Sequence, residues 1–515
     1  MSASINGKTR GYFPMSSPAL AALADLPQAD LKSIFTVDPD RLSKFTLTQG
    51  PIRFDWSKTH LTDDLFAGFL KLAEEKGFAA QRDALFAGEA VNNTEGRAAE
   101  HPAERGEGNA DSVAYAKMLH ARMRALIDAI EGEALGPIRH ILHIGIGGSA
   151  LGPDLIIDAL GGDGARYDVA IVSNVDGTAL ERAISRFDPE ATLIAVASKT
   201  FTTTETMLNA ASAINWMVEA GVEDPYGRVI ALTASPDKAI EWGVDETRVL
   251  PFAESVGGRY SLWSSIGFPA ALALGWDAFE SLLEGAAAMD RHFRLSDPRQ
   301  NAPLIAAFVD QYYARVLGCQ TRALFAYDER LRLLPSYLQQ LEMESNGKSV
   351  TRDGKPVDGP TAAITWGGVG TDAQHAVFQL LHQGTILTPV EFIASIEPGH
   401  VLDPAHHRAL LVNCFAQGAA LMRGKDNDAD PARAYPGNRP STTILLDDVT
   451  PEALGGLIAF YEHRTFANAV LMGINPFDQF GVELGKEIAR SIEAEGPKGF
   501  DPSTMALIDL ALGGI

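Results

Sequence analysis

The order of hydrophobic and polar positions predicts a chain in which strands alternate with helices. Short apolar runs separated by turn residues and helical patterns predict strands at 139–144, 167–173, 193–197 and 228–233. A second series predicts strands at 321–327, 362–366 and 387–396, with helices at 331–341 and 371–382. Repeated strand–turn–helix units indicate parallel sheets with helices on both faces, which bind ligands beyond the carboxyl ends of the strands.

The segments on either side of these blocks have a mostly helical pattern. Apolar residues recur at helical spacing over 61–77 and 111–130, whereas 88–105 is polar and is predicted to be irregular. The end of the chain, from 480, is predicted to be helical with a break around 496–502. We therefore expect an α/β fold in four parts: a helical arm at 1–110, a first α/β module at 111–275, a second α/β module at 276–490, and a helical tail at 491–515.

Composition narrows the class of protein and its compartment. A length of 515 residues and a hydrophobic fraction of 46% are typical of a globular chain with more than one domain. Cys319 and Cys414 are the only cysteines, which argues against a disulfide framework and favours a cytoplasmic protein. The sequence has neither a secretory signal pattern nor an apolar run of about 18 residues, so we expect no membrane partner.

The charge of the chain bears on its partners. The net charge is −23, which argues against nucleic acid as a partner, because phosphate backbones require basic surfaces. An anionic substrate would need a local positive field within a negative molecule.

A hydroxyl-rich turn follows the third predicted strand. Ser198, Lys199 and Thr200 end that strand, and further threonines, among them Thr203, precede a helical pattern that begins at Met207. Backbone N–H groups, hydroxyl groups and one ammonium would then lie at a helix N-terminus, where an anion such as a phosphate is favoured. The alternative is a threonine-rich turn that only caps the helix.

A glycine-rich turn follows the first predicted strand. The run from Gly145 to Ala150 matches the G-x-G-x-x-G/A pattern, and Asp176 ends the next strand, where a ribose-binding acid could lie. The same turn, with Gly148 and Ser149, equally suits close approach to a single phosphate or a sugar ring. A nicotinamide enzyme is therefore one alternative, although the hydroxyl-rich turn supplies phosphate donors that a dinucleotide site does not require.

Two kinds of charged group could act on a substrate held by these turns. Arg259 follows two glycines, and its guanidinium could stabilise a developing oxyanion; a surface ion pair is the alternative. Glu342 and Glu344 lie two residues apart on a helix and point to different faces, so one can be solvated while the other enters a site. Glu344 could then remove a carbon-bound proton next to a carbonyl.

Several histidines are candidates for proton transfer or metal binding. His375 lies in the first turn of a predicted helix and could shuttle protons to a sugar ring oxygen; a structural role is the alternative. His382, seven residues later, is expected to pack. Asp403, His406 and His407 do not define a facial set of three ligands, so we expect no metal site.

Seven ordered segments of the chain resemble the glucose-6-phosphate isomerase (phosphoglucose isomerase) family. They run from Gly145 to Lys486 and read GIGGSALGP, SNVDG, SKTFTTTET, GGRYSLWSSIG, LQQLEMESNGK, GTDAQHAVFQLLHQGT and FDQFGVELGK. The motif NNTEGR at 92–97 extends the match into the arm. The arm departs from the family at 98–105, where AAEHPAER stands in place of a leucine-rich segment.

The resemblance implies a role for each matching residue. Gly148 would allow close backbone approach, and the substrate phosphate would be bound by Ser149, Ser198, Lys199, Thr200 and Thr203. Glu344 would move a proton between C1 and C2, while Arg259 would stabilise the cis-enediolate. Ring opening would be assisted by His375 and Lys486, with further substrate contacts from Gln340 and Gln479.

The resemblance also implies an activity and an assembly. The activity is the reversible conversion of glucose 6-phosphate to fructose 6-phosphate, in glycolysis and gluconeogenesis, by two sugar-isomerase-type α/β modules. The assembly is a homodimer in which His375 reaches the site of the partner subunit, without a metal or an organic cofactor. Activity on mannose 6-phosphate stays open. A non-catalytic phosphosugar sensor is the alternative from another class, and Glu344, His375 and Arg259 together weigh against it.

Overall fold

The computed structural model describes residues 17–162, 165–496 and 499–512. The predicted arm before residue 17, the middle of the predicted break at 497–498 and the last three residues of the predicted tail lie outside the described residues. The chain forms two compact units, Met1–Pro476 and Phe477–Ile515. The four-part division of the chain stays a prediction.

The described residues form eleven strands: β1 (Thr46–Gln49), β2 (Ile52–Asp55), β3 (His140–Gly145), β4 (Asp168–Val172), β5 (Thr192–Ala197), β6 (Val229–Thr233), β7 (Val249–Pro251), β8 (Thr321–Tyr327), β9 (Ile364–Val369), β10 (Val390–Ser395) and β11 (Ser441–Leu446). Seven of the eleven strands, β3 to β6 and β8 to β10, have bounds close to those that the apolar runs predict, whereas the sequence does not predict β1, β2, β7 or β11. Every residue of β5, β6 and β10 is buried, which is why these strands read as continuous apolar runs.

The helices fill the segments between and around the strands. They are α1 (Pro18–Asp25), α2 (Ile34–Val37), α3 (Arg41–Lys44), α4 (Asp63–Glu75), α5 (Phe78–Ala87), α6 (His101–Glu104), α7 (Ala110–Glu131), α8 (Leu151–Leu160), α9 (Gly177–Ile184), α10 (Thr204–Glu219), α11 (Pro236–Trp242), α12 (Phe268–Leu274), α13 (Trp276–Leu295), α14 (Ala302–Gln311), α15 (Leu334–Leu338), α16 (Asp372–Gln383), α17 (Ala405–Arg423), α18 (Pro451–Met472), α19 (Glu483–Glu495) and α20 (Pro502–Leu512). Within the described chain, no helix is long and apolar enough to cross a membrane.

The first sheet carries the two turns that the sequence singles out. Its strand order is β4-β3-β5-β6-β7, and all neighbours are parallel. The central strands β3 and β5 pair up to their last residues, Gly145 and Ala197. The turns that follow these strands therefore begin side by side at the carboxyl edge of the sheet.

The second sheet recruits two strands from the N-terminal arm. Its order is β1-β2-β11-β10-β8-β9. The strands β11, β10, β8 and β9 are parallel to one another. The strand β2 is antiparallel to both of its neighbours, β1 and β11. The sequence predicts a mostly helical arm and misses this hairpin. Strands of four residues are too short to show a clear alternation, and the pairing of β2 with β11 joins residues nearly 400 positions apart.

The segment 88–105 is also more ordered than its polar composition predicts. It contains the helix α6, whose residues are buried, and Arg105 forms ion pairs with Asp290 (2.6 Å) and Glu462 in the protein interior. The buried arginine is thus paired with two carboxylates, which offset the cost of burying its charge.

A central helix joins the elements of the first unit. α18 is buried from Ala453 to Met472 and packs against α13 and α14. A Cβ atom on Gly285 would lie 2.0 Å from the carbonyl oxygen of Glu452, and one on Gly455 would lie 2.0 Å from that of Leu282. Glycine at these positions lets the backbones of α13 and α18 touch.

Candidate active site

The hydroxyl-rich turn after β5 has its hydroxyl groups directed at one another. Thr203 is the N-cap of α10, yet within the described chain its side chain makes no capping bond and lies 3.0 Å from the Ser198 hydroxyl instead. Thr200 and Thr202 are paired in the same way at 2.8 Å. The alternative of a turn that only caps its helix is therefore disfavoured, because the hydroxyls face the loop.

Lys199 ties this turn to the loop that carries Arg259. Its Nζ donates to the carbonyl oxygens of Glu254 (2.6 Å) and Val256 (3.1 Å). Burial, with a further contribution from the positive charge of Arg97, lowers the pKa of Lys199 to about 8. A partly desolvated ammonium attracts an anion more strongly than one in bulk water, because the local dielectric constant is lower.

The glycine-rich turn after β3 packs against the same loop. A Cβ atom on Gly148 would lie 2.2 Å from the carbonyl oxygen of Gly258, so only glycine allows this approach. Gly147 has a φ of 57°, and a Cβ atom there would lie 2.9 Å from Nε2 of Gln340. The space above Gly148 is occupied by protein backbone, which argues against the close pyrophosphate contact of the dinucleotide alternative.

Ser149 closes the glycine-rich turn. Its backbone carbonyl accepts a hydrogen bond from His143 Nε2 at 2.6 Å, and burial lowers the pKa of His143 to about 4. The histidine is therefore neutral and supports the turn from within the sheet.

Arg259 is buried, and oxygen atoms of Ser345 and Pro476 accept hydrogen bonds from its guanidinium. Nε donates to the Ser345 hydroxyl at 2.7 Å, and Nη2 donates to the Pro476 carbonyl. The Tyr260 hydroxyl bonds the same Ser345 oxygen at 2.9 Å. The surface ion pair considered as an alternative is excluded by this burial.

Glu344 lies at the end of a π-helical segment, Gln339–Glu344, that continues α15. Its Oε1 lies 3.6 Å from Arg259 Nη1, and its Oε2 is buried without a hydrogen-bond partner among the described residues. Such an oxygen is unusual in a folded protein and marks a candidate site for a reacting group.

Glu342 takes the opposite face of this segment, as the spacing predicts, but it is not solvated. Its carboxylate pairs with Arg322 of β8 and accepts a hydrogen bond from the Thr365 hydroxyl at 2.6 Å. This ion pair holds the face of the segment that points away from Arg259.

His375 lies apart from these contacts, exposed on α16. It lines a groove of about 1150 Å³ between α16 and α17, together with Lys32 and Arg423. His382 packs as expected, with its Nε2 2.8 Å from Gln417 Oε1 and its ring 6.1 Å from that of Phe378.

Gln479 and Lys486 belong to the second compact unit. Gln479 precedes a 3₁₀ turn, and Lys486 is exposed in the first turn of α19. Among the described residues no group of three or more His, Cys, Asp or Glu side chains could hold a metal ion, and this includes Asp403, His406 and His407.

Sequence reasoning missed the residues that hold Arg259. Ser345 and Tyr260 directly follow Glu344 and Arg259, and adjacency was the one signal that could have indicated them. Behind them, Asn475 Nδ2 donates to Asn92 Oδ1 (2.9 Å) and Thr94 Oγ1 (2.8 Å), which links the arm motif to the chain beside Pro476.

Comparisons with known proteins cover nearly the whole chain. The sequence profile of the family described as Phosphoglucose isomerase matches residues 55–508. A glucose-6-phosphate isomerase of Rhizorhabdus wittichii is 75% identical over 492 residues, covering 96% of this chain and 98% of the relative. One of Zymomonas mobilis subsp. mobilis is 66% identical over 484 residues, covering 94% and 95%. The crystal structure of a glucose-6-phosphate isomerase from Chlamydia trachomatis has a TM-score of 0.88 at 31% identity, covering 97% and 99%.

These findings place the chain in a class and then in a family. Its parallel sheets, with helices packed around them, define an α/β protein of the two-module sugar-isomerase fold, which confirms the predicted fold class. The chain belongs to the phosphoglucose isomerase family, as its ordered motifs predict.

Proposed function

We propose that this chain interconverts glucose 6-phosphate and fructose 6-phosphate by moving a proton between C1 and C2. The observation that carries the proposal is the environment of Glu344, which has one oxygen near Arg259 and the other buried without a described partner. A carboxylate in this position keeps an oxygen for a carbon-bound proton. The relatives that cover nearly the whole chain are glucose-6-phosphate isomerases, which supports the same reaction.

The phosphate end of the substrate would bind where β3 and β5 end. Its oxygens would be bound by hydroxyls and backbone N–H groups of Ser149, Ser198, Thr200 and Thr203 and by the ammonium of Lys199. Gly148 would keep the glycine-rich turn close to the loop of Arg259, so that both can act on one ligand. These groups supply local positive charge in a molecule whose net charge is −23.

The reacting end would lie between Glu344 and Arg259. Glu344 would take the proton from one carbon and return it to its neighbour, while the negative charge that develops on oxygen would be stabilised by the guanidinium. Because Arg259 is already oriented by Ser345 and Pro476, little reorganisation would be needed when this charge appears.

Ring opening must precede the proton transfer, because the sugar carbonyl is masked in the ring. We propose His375 and Lys486 for the accompanying proton transfers, with Gln340 and Gln479 as further contacts. Gln340 lies beside the glycine-rich turn, close to Gly147.

We propose that the protein is a homodimer in which His375 enters the site of the partner subunit. His375 is exposed on α16, and α16 and α17 expose Leu380, Val412 and Phe415 to solvent in the single chain. Exposed apolar side chains on neighbouring helices are typical of surfaces that become buried against another protein. Both cysteines are free and buried, which supports the expected cytoplasmic location.

The test is the substitution Glu344→Gln, which keeps the shape of the side chain and removes the base. Turnover of fructose 6-phosphate to glucose 6-phosphate should fall by at least about 10²-fold. Binding of a five-carbon phosphosugar acid, measured by calorimetry, should persist. Glu329→Gln, at an exposed glutamate, is the matched control and should leave the rate unchanged.

The outcomes separate the alternatives. A Glu344→Gln enzyme with near wild-type turnover would refute the assignment of the base. A wild-type protein that binds the phosphosugar acid and forms no product would support the sensor.

A further inference from the structure

Ser345 lies where the loop of Arg259 and the π-helical segment of Glu344 meet. It directly follows Glu344 and its side chain is fully buried. Its oxygen accepts a hydrogen bond from Arg259 Nε at 2.7 Å and is bonded to the Tyr260 hydroxyl at 2.9 Å. Two consecutive residues of one loop thus converge on a single hydroxyl beside the proposed base.

The edge of the guanidinium that faces Ser345 is the one that arginines use to grip carboxylates. Elsewhere in this chain, Arg105 pairs with Asp290 through Nε (2.8 Å) and Nη2 (2.6 Å). Arg464 pairs with Asp310 through the same two nitrogens, at 2.6 and 2.5 Å. Such two-bond pairs are strong, and both carboxylate oxygens already accept a hydrogen bond in them, so neither is readily available to another group.

In Arg259 this edge is directed elsewhere. Nε points to Ser345 and Nη2 to the Pro476 carbonyl, so the guanidinium approaches Glu344 through Nη1 at 3.6 Å, beyond hydrogen-bond distance. The positive charge still acts on Glu344, but the carboxylate is not closed into a two-bond pair.

We propose that Ser345 is a positioning residue for the isomerase reaction. By accepting the Nε–H bond it keeps the Nε–Nη2 edge of Arg259 away from Glu344, so that the base retains an oxygen for the substrate. The guanidinium stays in place to stabilise the oxyanion. This inference rests on the proposed function of Glu344 and Arg259.

The surroundings of Ser345 are rigid enough for this role. The Tyr260 ring stacks on the imidazole of His101, with ring centres 4.6 Å apart. Asn475, which precedes Pro476, is held by Asn92 and Thr94 of the arm. Loss of the Ser345 hydroxyl would remove the acceptor of the Nε–H bond of the guanidinium without deleting a large side chain.

The kinetic test compares Ser345→Ala with the control Ser265→Ala, which removes another buried serine hydroxyl, bonded to the Leu250 carbonyl. Ser345→Ala should lower kcat by about 10- to 100-fold, as a misplacement of about 1 Å does, with little change in KM. Tyr260→Phe keeps the acceptor for Nε and should lose less. Ser265→Ala should change neither constant. A Ser345→Ala enzyme with the kcat of the control overturns the proposal.

A crystal structure of Ser345→Ala tests the same point without turnover. The Nε–Nη2 edge should rotate onto Glu344 and form two N–O contacts of about 2.8 Å. A guanidinium that keeps its place overturns the proposal, whatever the rate. If Ser345→Ala does not fold, Ser345→Cys replaces it in this test, because a thiol is similar in size to a hydroxyl but is a weak hydrogen-bond acceptor. The guanidinium should then rotate onto Glu344 as expected for the alanine variant. A wild-type protein without isomerase activity would instead refute the proposed function, and the crystal structure would still decide the geometry.

Discussion

At the scale of single residues, Lys199 combines two features that seldom occur together. Its ammonium donates hydrogen bonds to the Glu254 and Val256 carbonyls, and burial lowers its pKa to about 8. A lysine of this kind is charged at neutral pH and loses its charge within a range that enzymes tolerate.

This pKa predicts how substrate binding depends on pH. Above pH 8 the amine becomes neutral, so KM for the phosphosugar should rise several-fold by pH 9.5, since the phosphate ester is already a dianion there. Steady-state kinetics from pH 7 to 9.5 measure this. Lys199→Arg keeps its charge throughout and should show a flat KM, although its value can be higher. A flat KM in the wild-type protein would contradict the role of Lys199.

At the scale of secondary structure, the site depends on turns that begin at neighbouring strand ends. Gly145 and Ala197 are paired in the sheet, and the turns after them contact the loop at 254–259 through Gly148 and Lys199. A Cβ atom on Gly148 would lie closest to backbone atoms of Gly258 and Arg259. The positions of the proposed phosphate donors and of Arg259 are therefore coupled.

Gly148→Ala tests this coupling. The added methyl would lie 2.2 Å from the Gly258 carbonyl oxygen, so the loop must move and carry Arg259 with it. We expect kcat/KM to fall by about 10²-fold and the free energy of unfolding to fall by about 1–3 kcal/mol. Gly162→Ala, just beyond α8, meets no atom within 4 Å and should leave both unchanged. Equal activity of the two variants would contradict a close contact at Gly148.

The π-helical segment is the second element on which the site depends. Its Glu342 is fastened to β8 by Arg322 and to β9 by Thr365, so the segment cannot rotate freely. Glu344, two residues later, is thereby directed to the other face, toward Arg259. The second sheet thus orients the proposed base, while the first sheet carries the turns that we propose to bind phosphate.

At the scale of the whole molecule, the proposed dimer makes a prediction about mixed subunits. If His375 serves the site of its partner, a dimer of one Glu344→Gln and one His375→Ala subunit contains one intact site. Mixing the two inactive variants under subunit exchange should restore part of the activity, up to half per mixed dimer. Mixing Glu344→Gln with Arg259→Ala, which both alter the same subunit's part of the site, should restore none. Activity that stays lost in the first mixture would contradict the shared site.

The buried histidines make a prediction about stability. Burial lowers the pKa values of His60, His143 and His292 to about 4 from 6.5. Between pH 4 and 6.5 these histidines are protonated in the unfolded chain but neutral in the folded protein. Their contribution to the free energy of unfolding is therefore largest above pH 6.5 and decreases as the pH falls toward 4. The slope should reach about 1.4 kcal/mol per pH unit for each histidine.

His292 provides a test of whether the buried neutral histidines cause this pH dependence of stability. Its Nε2 accepts a hydrogen bond from the Ala302 backbone N–H at 3.0 Å, which a protonated ring could not do. Denaturant unfolding between pH 4 and 7 should show a shallower slope for His292→Gln, by about one proton. His406→Gln, at an exposed histidine, should keep the wild-type slope. An unchanged slope in His292→Gln would contradict the assignment.

Local pattern was sufficient for seven of the eleven strands of the described chain, for the helices that follow the glycine-rich and hydroxyl-rich turns, and for the family. Apolar runs such as 193–197 predict buried strands, because a strand buried on both faces has few polar residues. Motifs such as SKTFTTTET can be identified from their residue types and spacing alone. The sequence did not predict β7, β11 or the buried helix α18, and its prediction for the arm was wrong in two places. The β1–β2 hairpin and the buried Arg105 depend on partners far along the chain.

The amino-acid sequence by itself determined the fold class and the family and was enough to propose the base and the phosphate ligands, because these depend on residue types and their local spacing. Only the tertiary structure decided that Glu342 is ion-paired, that Gly148 touches Gly258, and that Ser345 receives the guanidinium of Arg259. Each of these contacts joins loops or strands whose approach is set by the packing of the sheets and of α18, and packing over such distances leaves no periodic trace in the sequence.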